Sequence, residues 1–447
     1  MRWLPLSGQR ALLDLATMPL GKRLVRGAAA SLVMTAASIM LGIASSVLLG
    51  RTLGPRHYGL YSLALLLIGL TTVPFFYGMT MLLTRETGKV MASGNRADMT
   101  GLLRWSYWVS GLAAVCVTVM AGALLWTFRG RLDPDFAKTG LLVLPMIGLS
   151  ILMPLNSTLL RGLGGLVRSQ FCDLALRPAL ALLFVLIIAS QHTLAASSAL
   201  IAQILAVAAT VTLSGWWLFL AWQELPQARK AGEPPALTPF RLRGLMTFSA
   251  VAAVTSFYGS IDSLLLGTIG GTASLGIYRI ALVAVQLMSA LTLAISTIVV
   301  PSIARLWAEG DRAKLQRLLT ITSRATLALA LPLGLVLILA GRPLLLFGFG
   351  DDFAAGAPAL AICAAGQVLS ATMGPVFNVY NMTGHEQMAL RCMLAGAAVN
   401  AGLCLVLIAP LGPTGAALAA TAGNLVTTGL MARNERRLTG VTSSILG

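Results

Sequence analysis

Two arginines lie within or at the edge of long apolar stretches of the sequence, where a fixed positive charge is unusual. Arg177 follows the start of one such stretch, and Arg279 follows Tyr278 at the start of another. Ionisable side chains at membrane depth are expensive, so they usually face a protein interior or a cavity. A guanidinium group has five donors in a rigid fork that matches the oxygens of phosphate groups. These positions therefore predict a cavity that binds an anion, with Arg177 as the leading candidate.

Two other arginines are weaker candidates for the same cavity. Arg85 closes an apolar segment beside Glu86, and Arg161 lies in a glycine-rich connection between two apolar segments. Both positions are also explained by the excess of basic residues on the cytoplasmic side of membrane proteins. Arg279 has a second explanation too, since a long basic side chain at a segment end can reach the membrane surface.

Two acidic residues in the apolar segments could carry the opposite chemistry. Asp173 precedes Arg177 by four residues, so in a helix it could simply neutralise that arginine. Asp262 lies in a run rich in Ser and Leu, one turn before its segment ends. It could bind a proton or Na⁺ that drives transport, or pair with Arg279 across a hairpin. The sequence favours neither alternative for Asp262, and Asp173 is retained as a second candidate for ion coupling.

Enzymatic chemistry is not indicated. The five cysteines have no C-x-x-C spacing, and the three histidines are far apart in polar connections. The longest connection on the outward side, Thr127 to Gly140, offers Asp133 and Asp135 with no histidine or nucleophile beside them. We therefore expect no catalytic residues, no metal site and no cofactor apart from a possible coupling ion, H⁺ or Na⁺.

The composition places the chain in a lipid bilayer. Of its 447 residues, 57% are hydrophobic and 11% are charged, and the mean hydropathy is +0.84. Twelve apolar segments each approach the roughly 20 residues that a helix needs to cross the hydrocarbon core. They centre on residues 27–49, 60–83, 107–126, 141–160, 173–190, 196–222, 245–266, 278–299, 325–340, 356–380, 390–408 and 412–430.

The basic residues indicate the orientation of these segments. If the N-terminus is cytoplasmic, the cytoplasmic side receives 24 Lys and Arg and the opposite side receives 6. This asymmetry predicts that both termini are cytoplasmic. It also accounts for the net charge of +17 through membrane insertion, so nucleic acid is not expected as a partner.

A stretch of the first half recurs in the second half at an offset of 217 residues. Gly50, Gly54, Gly59, Tyr61, Ala64 and Leu65 correspond to Gly267, Gly271, Gly276, Tyr278, Ala281 and Leu282. The repeat predicts a duplicated unit of six helices. Because each unit has an even number of spans, the two copies have the same orientation and are related by an axis along the membrane normal. A central cavity between two six-helix bundles follows.

The predicted fold class is therefore an all-α integral membrane protein with 12 transmembrane helices in two parallel bundles. The proline-containing connection 223–244 is the predicted cytoplasmic linker between them. The predicted organisation is a cytoplasmic N-terminal arm at 1–26, bundles at 27–222 and 245–431, and a cytoplasmic tail at 432–447.

Several motifs along the chain resemble a known family. They include Gly50-Arg51-Thr52-Leu53-Gly54-Pro55 with Tyr58-Gly59-Leu60-Tyr61, and Leu176-Arg177-Pro178. They also include Pro301-Ser302-Ile303-Ala304-Arg305-Leu306, Asn381-Met382-Thr383-Gly384 and Leu411-Gly412-Pro413-Thr414-Gly415. In this order they resemble the Wzx-like polysaccharide flippases of the multidrug/oligosaccharidyl-lipid/polysaccharide exporter (MOP) superfamily, whose fold is the MATE-like arrangement of two bundles.

The resemblance implies a substrate and a location. It implies movement of an undecaprenyl-diphosphate-linked oligosaccharide between leaflets of a bacterial inner membrane, with the membrane lipids and a polysaccharide polymerase as partners. Arg177, Arg279, Arg85 and Arg161 would then hold the diphosphate. The alternatives are a cation-coupled drug or small-molecule antiporter of the same superfamily and a lipid II flippase. The related lipid II flippases usually have fourteen spans, which twelve segments do not match.

Overall fold

The computed structural model describes residues 19–93, 96–128, 134–191, 195–225 and 239–445, and every regular element in these ranges is helical. Residues 1–18 of the predicted arm and 226–238 of the predicted linker lie outside the described residues.

The first half contains α1 (Pro19–Ser93), α2 (Arg96–Phe128), α3 (Pro134–Gly162), α4 (Leu166–Gln170), a π-helical segment Phe171–Leu176, α5 (Arg177–Gln191) and α6 (Ala196–Gln223). The second half begins with α7 (Pro239–Tyr258), α8 (Ile261–Leu265), a π-helical segment Leu266–Gly270, α9 (Gly271–Glu309) and α10 (Arg312–Leu339). It ends with α11 (Gly341–Phe349), a 3₁₀ segment Asp351–Gly356, α12 (Ala357–Thr372), α13 (Val376–Met382), α14 (Glu386–Leu411) and α15 (Pro413–Thr439).

The predicted all-helical membrane fold is confirmed, whereas the count of twelve spans stays a prediction. Among the described residues, 9 helices are long and apolar enough to cross a membrane, or 10 if the bent pair Phe248–Tyr258 and Ile261–Ile269 forms one span. One of the nine, Val33–Gly88, contains the first two predicted spans. Helix α15 is not among these nine helices. The half that begins at Pro413 consists largely of Gly, Ala and Thr, which allow close packing but contribute little to the mean hydropathy.

Helix α1 is broken at Gly54, which is why it contains two predicted spans. Gly54 has φ 68° and ψ 173°, a backbone conformation that side-chain-bearing residues rarely adopt. The repeat-equivalent Gly271, at the start of α9, has nearly the same conformation, with φ 83° and ψ 165°. The repeat seen in the sequence is therefore also a repeat in backbone geometry, with one glycine breaking the helix at the equivalent point of each half.

The two copies of the repeated block pack against each other. A Cβ atom added to Gly59 would lie 1.7 Å from the backbone oxygen of Thr272, and one added to Gly276 would lie 2.0 Å from the backbone oxygen of Pro55. Thr272 and Pro55 are themselves repeat-equivalent positions, so the contact is reciprocal. A reciprocal contact of this kind is the signature of a two-fold axis. Gly54 and Gly271 consequently lie at the same end of the bundle, as parallel repeats require.

The chain after α15 is packed into the second half as a strap, which we define as residues 440–445. The backbone of Thr442 pairs with the Gln316 side chain of α10, donating to Oε1 and accepting from Nε2, each at 2.8 Å. The carboxylate of Glu435, which is 1% exposed, accepts from the backbone N–H of Ser443 at 2.7 Å and from its hydroxyl. Val441 is buried in an apolar cluster with Ile303 and Leu315. Part of the predicted tail 432–447 is therefore integral to the fold.

Candidate functional site

A cavity of about 380 Å³ lies where the two halves meet, and it brings Arg177 and Arg279 together. We call it the basic cavity. Its walls come from α1, α5, α6 and α9, and they include the polar side chains of Tyr61 and Gln203. Gln203 Nε2 donates to the Tyr61 hydroxyl at 2.9 Å, which joins α6 to α1. The two arginines are 102 positions apart in the sequence, and only the packing of the two halves places them in one cavity.

Arg177 is positioned by an irregular stretch of backbone. It begins α5 directly after the π-helical segment, and Pro178, which has no N–H and fixes its own φ, follows it. Insertions of this kind re-aim the side chains that follow them and recur at functional sites. Among the residues that the structure describes, no carboxylate lies within 4 Å of the guanidinium of Arg177 or Arg279. Neither arginine of the basic cavity therefore forms an ion pair within the described part of the chain.

Asp173 has other partners than Arg177. It accepts a hydrogen bond from Ser157 Oγ at 2.6 Å, and its second carboxylate oxygen lies 3.8 Å from Arg161 Nη2. Arg161 Nε also donates to the Ser157 carbonyl at 3.1 Å, so α3 and the π-helical segment are tied together by this group. The ion pair of Asp173 is therefore with Arg161, and Arg177 lies outside the 4 Å distance of an ion pair with Asp173.

The four arginines predicted to hold a diphosphate thus separate into two pairs. Arg177 and Arg279 line the basic cavity, whereas Arg161 is engaged with Asp173 and Arg85 lies 3.3 Å from Glu86 at the other end of its span. The structure does not bring Arg85 or Arg161 to the cavity walls. The diphosphate-binding role of all four arginines stays a prediction.

A second cavity, of about 470 Å³, lies within the second half and contains Asp262. We call it the acidic cavity. The Asp262 side chain is 6% exposed and accepts a hydrogen bond from the hydroxyl of Tyr278, which is fully buried. Asn400, Thr421 and Asn424 add amide and hydroxyl groups to the walls. Within the described part of the chain, Asp262 and Arg279 form no ion pair, since each faces a different cavity.

The two cavities are copies of each other. Gly42, Ser45, Tyr61 and Leu65 line the basic cavity, and the residues 217 positions later, Gly259, Asp262, Tyr278 and Leu282, line the acidic one. The hydroxyl of Ser45 is buried and has no hydrogen-bond partner among the described residues. The two cavities therefore share repeat-equivalent wall positions, and their charged residues have opposite sign.

Sequence reasoning missed several of these wall residues. Tyr61 and Tyr278 were visible as a matched pair in the repeat, but a tyrosine near the end of an apolar segment is also a common interfacial anchor. Gln203, Asn400 and Asn424 gave no signal, because single amides within spans usually bond between helices.

The end of the bundle where the repeated glycines meet is closed. Arg51, in the first half, donates from Nε to the carbonyl oxygen of Gly348 at 2.8 Å and from Nη2 to the carbonyl oxygen of Phe347. Both acceptors belong to α11 in the second half. A Cβ atom added to Gly50 would lie 2.9 Å from the Phe349 ring. The distribution of basic residues in the sequence predicts that this closed end is periplasmic.

Among the residues described, no group of three or more His, Cys, Asp or Glu side chains could hold a metal ion. The chemistry that the two cavities offer is binding: guanidinium groups for an anion in one, and a buried carboxyl with amide and hydroxyl groups for a proton or cation in the other.

Comparison with known proteins gives a consistent family and fold. A family model described as "Polysaccharide biosynthesis protein" matches residues 48–358. The structure is similar to an inward-facing multidrug resistance MATE family transporter of the MOP superfamily, with a TM-score of 0.73 and 14% identity over 90% of this chain and 95% of that one. It is equally similar to lipid II flippase MurJ in an inward closed conformation, with a TM-score of 0.73 and 13% identity over 90% and 87%. No curated protein sequence matches the chain.

A third similar structure is an outward-facing MATE transporter of the same superfamily, with a TM-score of 0.61 and 16% identity over 92% of this chain and 96% of that one. At such identities the similarity establishes the fold, namely that of the MOP superfamily transporters.

Proposed function

The chain belongs to the polysaccharide biosynthesis protein family, and from this premise we propose that it is a flippase for an undecaprenyl-diphosphate-linked oligosaccharide. In this proposal it resides in a bacterial inner membrane with both termini cytoplasmic. It carries the lipid-linked sugar from the cytoplasmic to the periplasmic leaflet. The observation that carries the proposal is that one cavity between the halves contains two arginines, neither of which forms an ion pair with a described residue.

The charge of the basic cavity matches the headgroup of such a lipid. A diphosphate diester carries two negative charges, and no lipid-facing helix surface can hold them in the hydrocarbon core. Arg177 comes from the first half and Arg279 from the second, so a bound diphosphate would contact both halves at once. Charge-assisted hydrogen bonds from guanidinium to phosphate are short and strong, and they become stronger where water is excluded.

Alternating access follows from the symmetry. In the observed state the halves are closed at the predicted periplasmic end by the Gly59 and Gly276 contacts and by Arg51. Rocking of one half against the other around the central binding site would open this end and close the opposite one. Because Arg279 lies on α9, the helix that carries Gly276, a ligand held by Arg279 is coupled directly to the element that must move.

The acidic cavity supplies a candidate for coupling. We propose that Asp262 takes up a proton or Na⁺ during the cycle, with Tyr278 positioning its carboxyl group. The isosteric change Asp262→Asn is expected to reduce flipping while leaving the protein folded, since Tyr278 retains an acceptor. Unchanged flipping in Asp262→Asn under every ion gradient would remove this role. Asp173, which is engaged with Ser157 and Arg161, is the weaker coupling candidate.

A cation-coupled antiporter is the second candidate function. The observation that favours it is the acidic cavity, which contains Asp262. The two functions differ in what deletion of the gene does to the cell. For a flippase we expect loss of a surface or exported polysaccharide and accumulation of the lipid-linked precursor in the inner leaflet. Unchanged polysaccharide together with altered resistance to cationic drugs would establish the antiporter instead. A defect in cell-wall synthesis with intact polysaccharide would point to lipid II as the substrate.

A further inference from the structure

A third cavity, of about 440 Å³, lies at the predicted cytoplasmic end of the second half, away from both transport cavities. Its walls are the turn before α14, the first turns of α14 and the last turns of α15. Arg391 enters it from α14 and Arg437 from α15, and no carboxylate lies within 4 Å of either guanidinium among the described residues. Two arginines from neighbouring helices, neither of them in an ion pair with a described residue, thus converge on one cavity that shares no lining residue with the other two.

The other residues that line this cavity determine which ligand charge it binds best. Glu386 contributes one negative charge, so with the two arginines the fixed charge is +1. His385 also lines the cavity, and its ring is held by Thr383, whose hydroxyl is 2.9 Å from Nδ1. The backbone N–H groups of Glu386 and Gln387, at the start of the 26-residue α14, have no acceptor among the described residues. The positive end of the α14 helix dipole therefore lies beside this cavity. A monoanion fits this balance better than a dianion.

The position of the cavity relates it to lipid. Arg391 lies on the face of α14 that also carries Leu394, 49% exposed, and Leu405, 61% exposed. In a membrane protein, apolar side chains exposed along a span face the acyl chains. A lipid whose chains lie along Leu394 and Leu405 would therefore have its headgroup at the level of Arg391.

We propose that this cavity binds the phosphodiester headgroup of an anionic phospholipid of the cytoplasmic leaflet, held by Arg391 and Arg437. The glycerol headgroup of phosphatidylglycerol has the matching chemistry: one negative charge for the arginines and hydroxyl donors for the Glu386 carboxylate and the Asn434 amide oxygen. Basic pockets between spans on the cytoplasmic side are a recurring way of binding lipid headgroups. The site anchors the second half to the leaflet that contains the substrate, and it is independent of which substrate is flipped.

The test is lipid binding by the purified full-length protein in detergent, followed by native mass spectrometry. The protein is titrated with phosphatidylglycerol, phosphatidylethanolamine or inorganic phosphate. We expect tighter binding of phosphatidylglycerol than of phosphatidylethanolamine, and a loss of about tenfold or more in apparent affinity in Arg391→Gln/Arg437→Gln. The matched control is Arg436→Gln, because Arg436 is also exposed and precedes Arg437 but does not line the cavity; its affinity should stay within about twofold of the parent.

Three outcomes overturn the proposal. An unchanged affinity in Arg391→Gln/Arg437→Gln removes the site, and an equal loss in Arg436→Gln means diffuse attraction instead of a cavity. Displacement of phosphatidylglycerol by an equal concentration of inorganic phosphate means that the ligand is a soluble phosphate compound. If the double variant does not fold, Glu386→Gln provides the test. Raising the fixed charge to +2 should improve binding of inorganic phosphate relative to phosphatidylglycerol, and no change in that preference contradicts the proposal.

Discussion

The contact between the repeated glycines allows a quantitative prediction about the closed end. In Gly59→Ala the new methyl group would lie 1.7 Å from the Thr272 carbonyl oxygen, whereas ordinary van der Waals contact begins at 3.4 Å. The backbones of α1 and α9 must therefore separate by about 1.7 Å along this line, because the obstacle is main chain and cannot rotate away. Overpacking of this kind typically costs about 1–3 kcal/mol. A penalty confined to the closed state shifts the conformational equilibrium toward opening by roughly 5- to 150-fold.

The assay is a distance measurement between spin labels at the predicted periplasmic end. Labels at Thr52 in the first half and Phe347 in the second half are both exposed there. Cys116 is the only exposed native cysteine among those described and is first changed to Ser. We expect Gly59→Ala to move the distance distribution toward longer values, and Gly276→Ala to do the same because the contact is reciprocal.

The matched control is Gly69→Ala, in the same helix as Gly59. A Cβ atom there meets nothing within 4 Å, so the distribution should not change. If Gly59→Ala leaves both the distances and the thermal stability as in the parent, the close approach of the two repeats does not exist in the membrane. If Gly69→Ala shifts them equally, the effect belongs to helix propensity and not to the contact.

Two other perturbations follow from polar contacts. Arg51→Ala removes two hydrogen bonds to α11, and since the side chain is exposed we expect a cost of only about 1 kcal/mol, seen as roughly a fivefold shift toward opening in the same label pair; no shift would show that these bonds do not hold the halves together. Burial raises the pKa of Glu435 from 4.5 to about 7. Because the folded state then binds the proton more tightly than the unfolded chain, the stability it contributes is present below pH 4.5 and is lost as the pH rises through 7. Thermal unfolding of the parent should show this loss, of roughly 3 kcal/mol, and Glu435→Gln should flatten it; an equally steep pH profile in Glu435→Gln would assign the slope to other groups.

The spans and the duplication were predictable because they depend on local chemistry. Apolar runs near 20 residues have few structural solutions in a bilayer, and the glycines at 54 and 271 mark a backbone conformation that other residues avoid. The same patterns predicted that Arg177 and Arg279 face a protein interior. Their presence in one cavity depends on the two-fold packing of the halves, which the repeat implied only in outline.

Other features depend on packing that no local pattern shows. The spacing of Asp173 and Arg177 suited an ion pair, but α3 brings Ser157 and Arg161 closer to the carboxylate. Glu435 and Ser443 look like ordinary residues of a polar tail, since the apolar cluster that buries the strap is assembled from distant helices. The opposite charge of the two cavities likewise appears only when the repeat is superposed on the structure.

The most direct test of the account is whether Arg177 binds the diphosphate of a lipid substrate. Binding of a polyprenyl diphosphate and of the matching monophosphate is measured with the purified parent, Arg177→Gln, Arg177→Lys and Asp173→Asn/Arg177→Gln. We predict a preference for the diphosphate, a loss of about 10- to 150-fold in Arg177→Gln, partial recovery in Arg177→Lys and none in the double variant, because Asp173 pairs with Arg161 instead. Full diphosphate binding by the double variant would contradict the account and make Arg177 a structural residue.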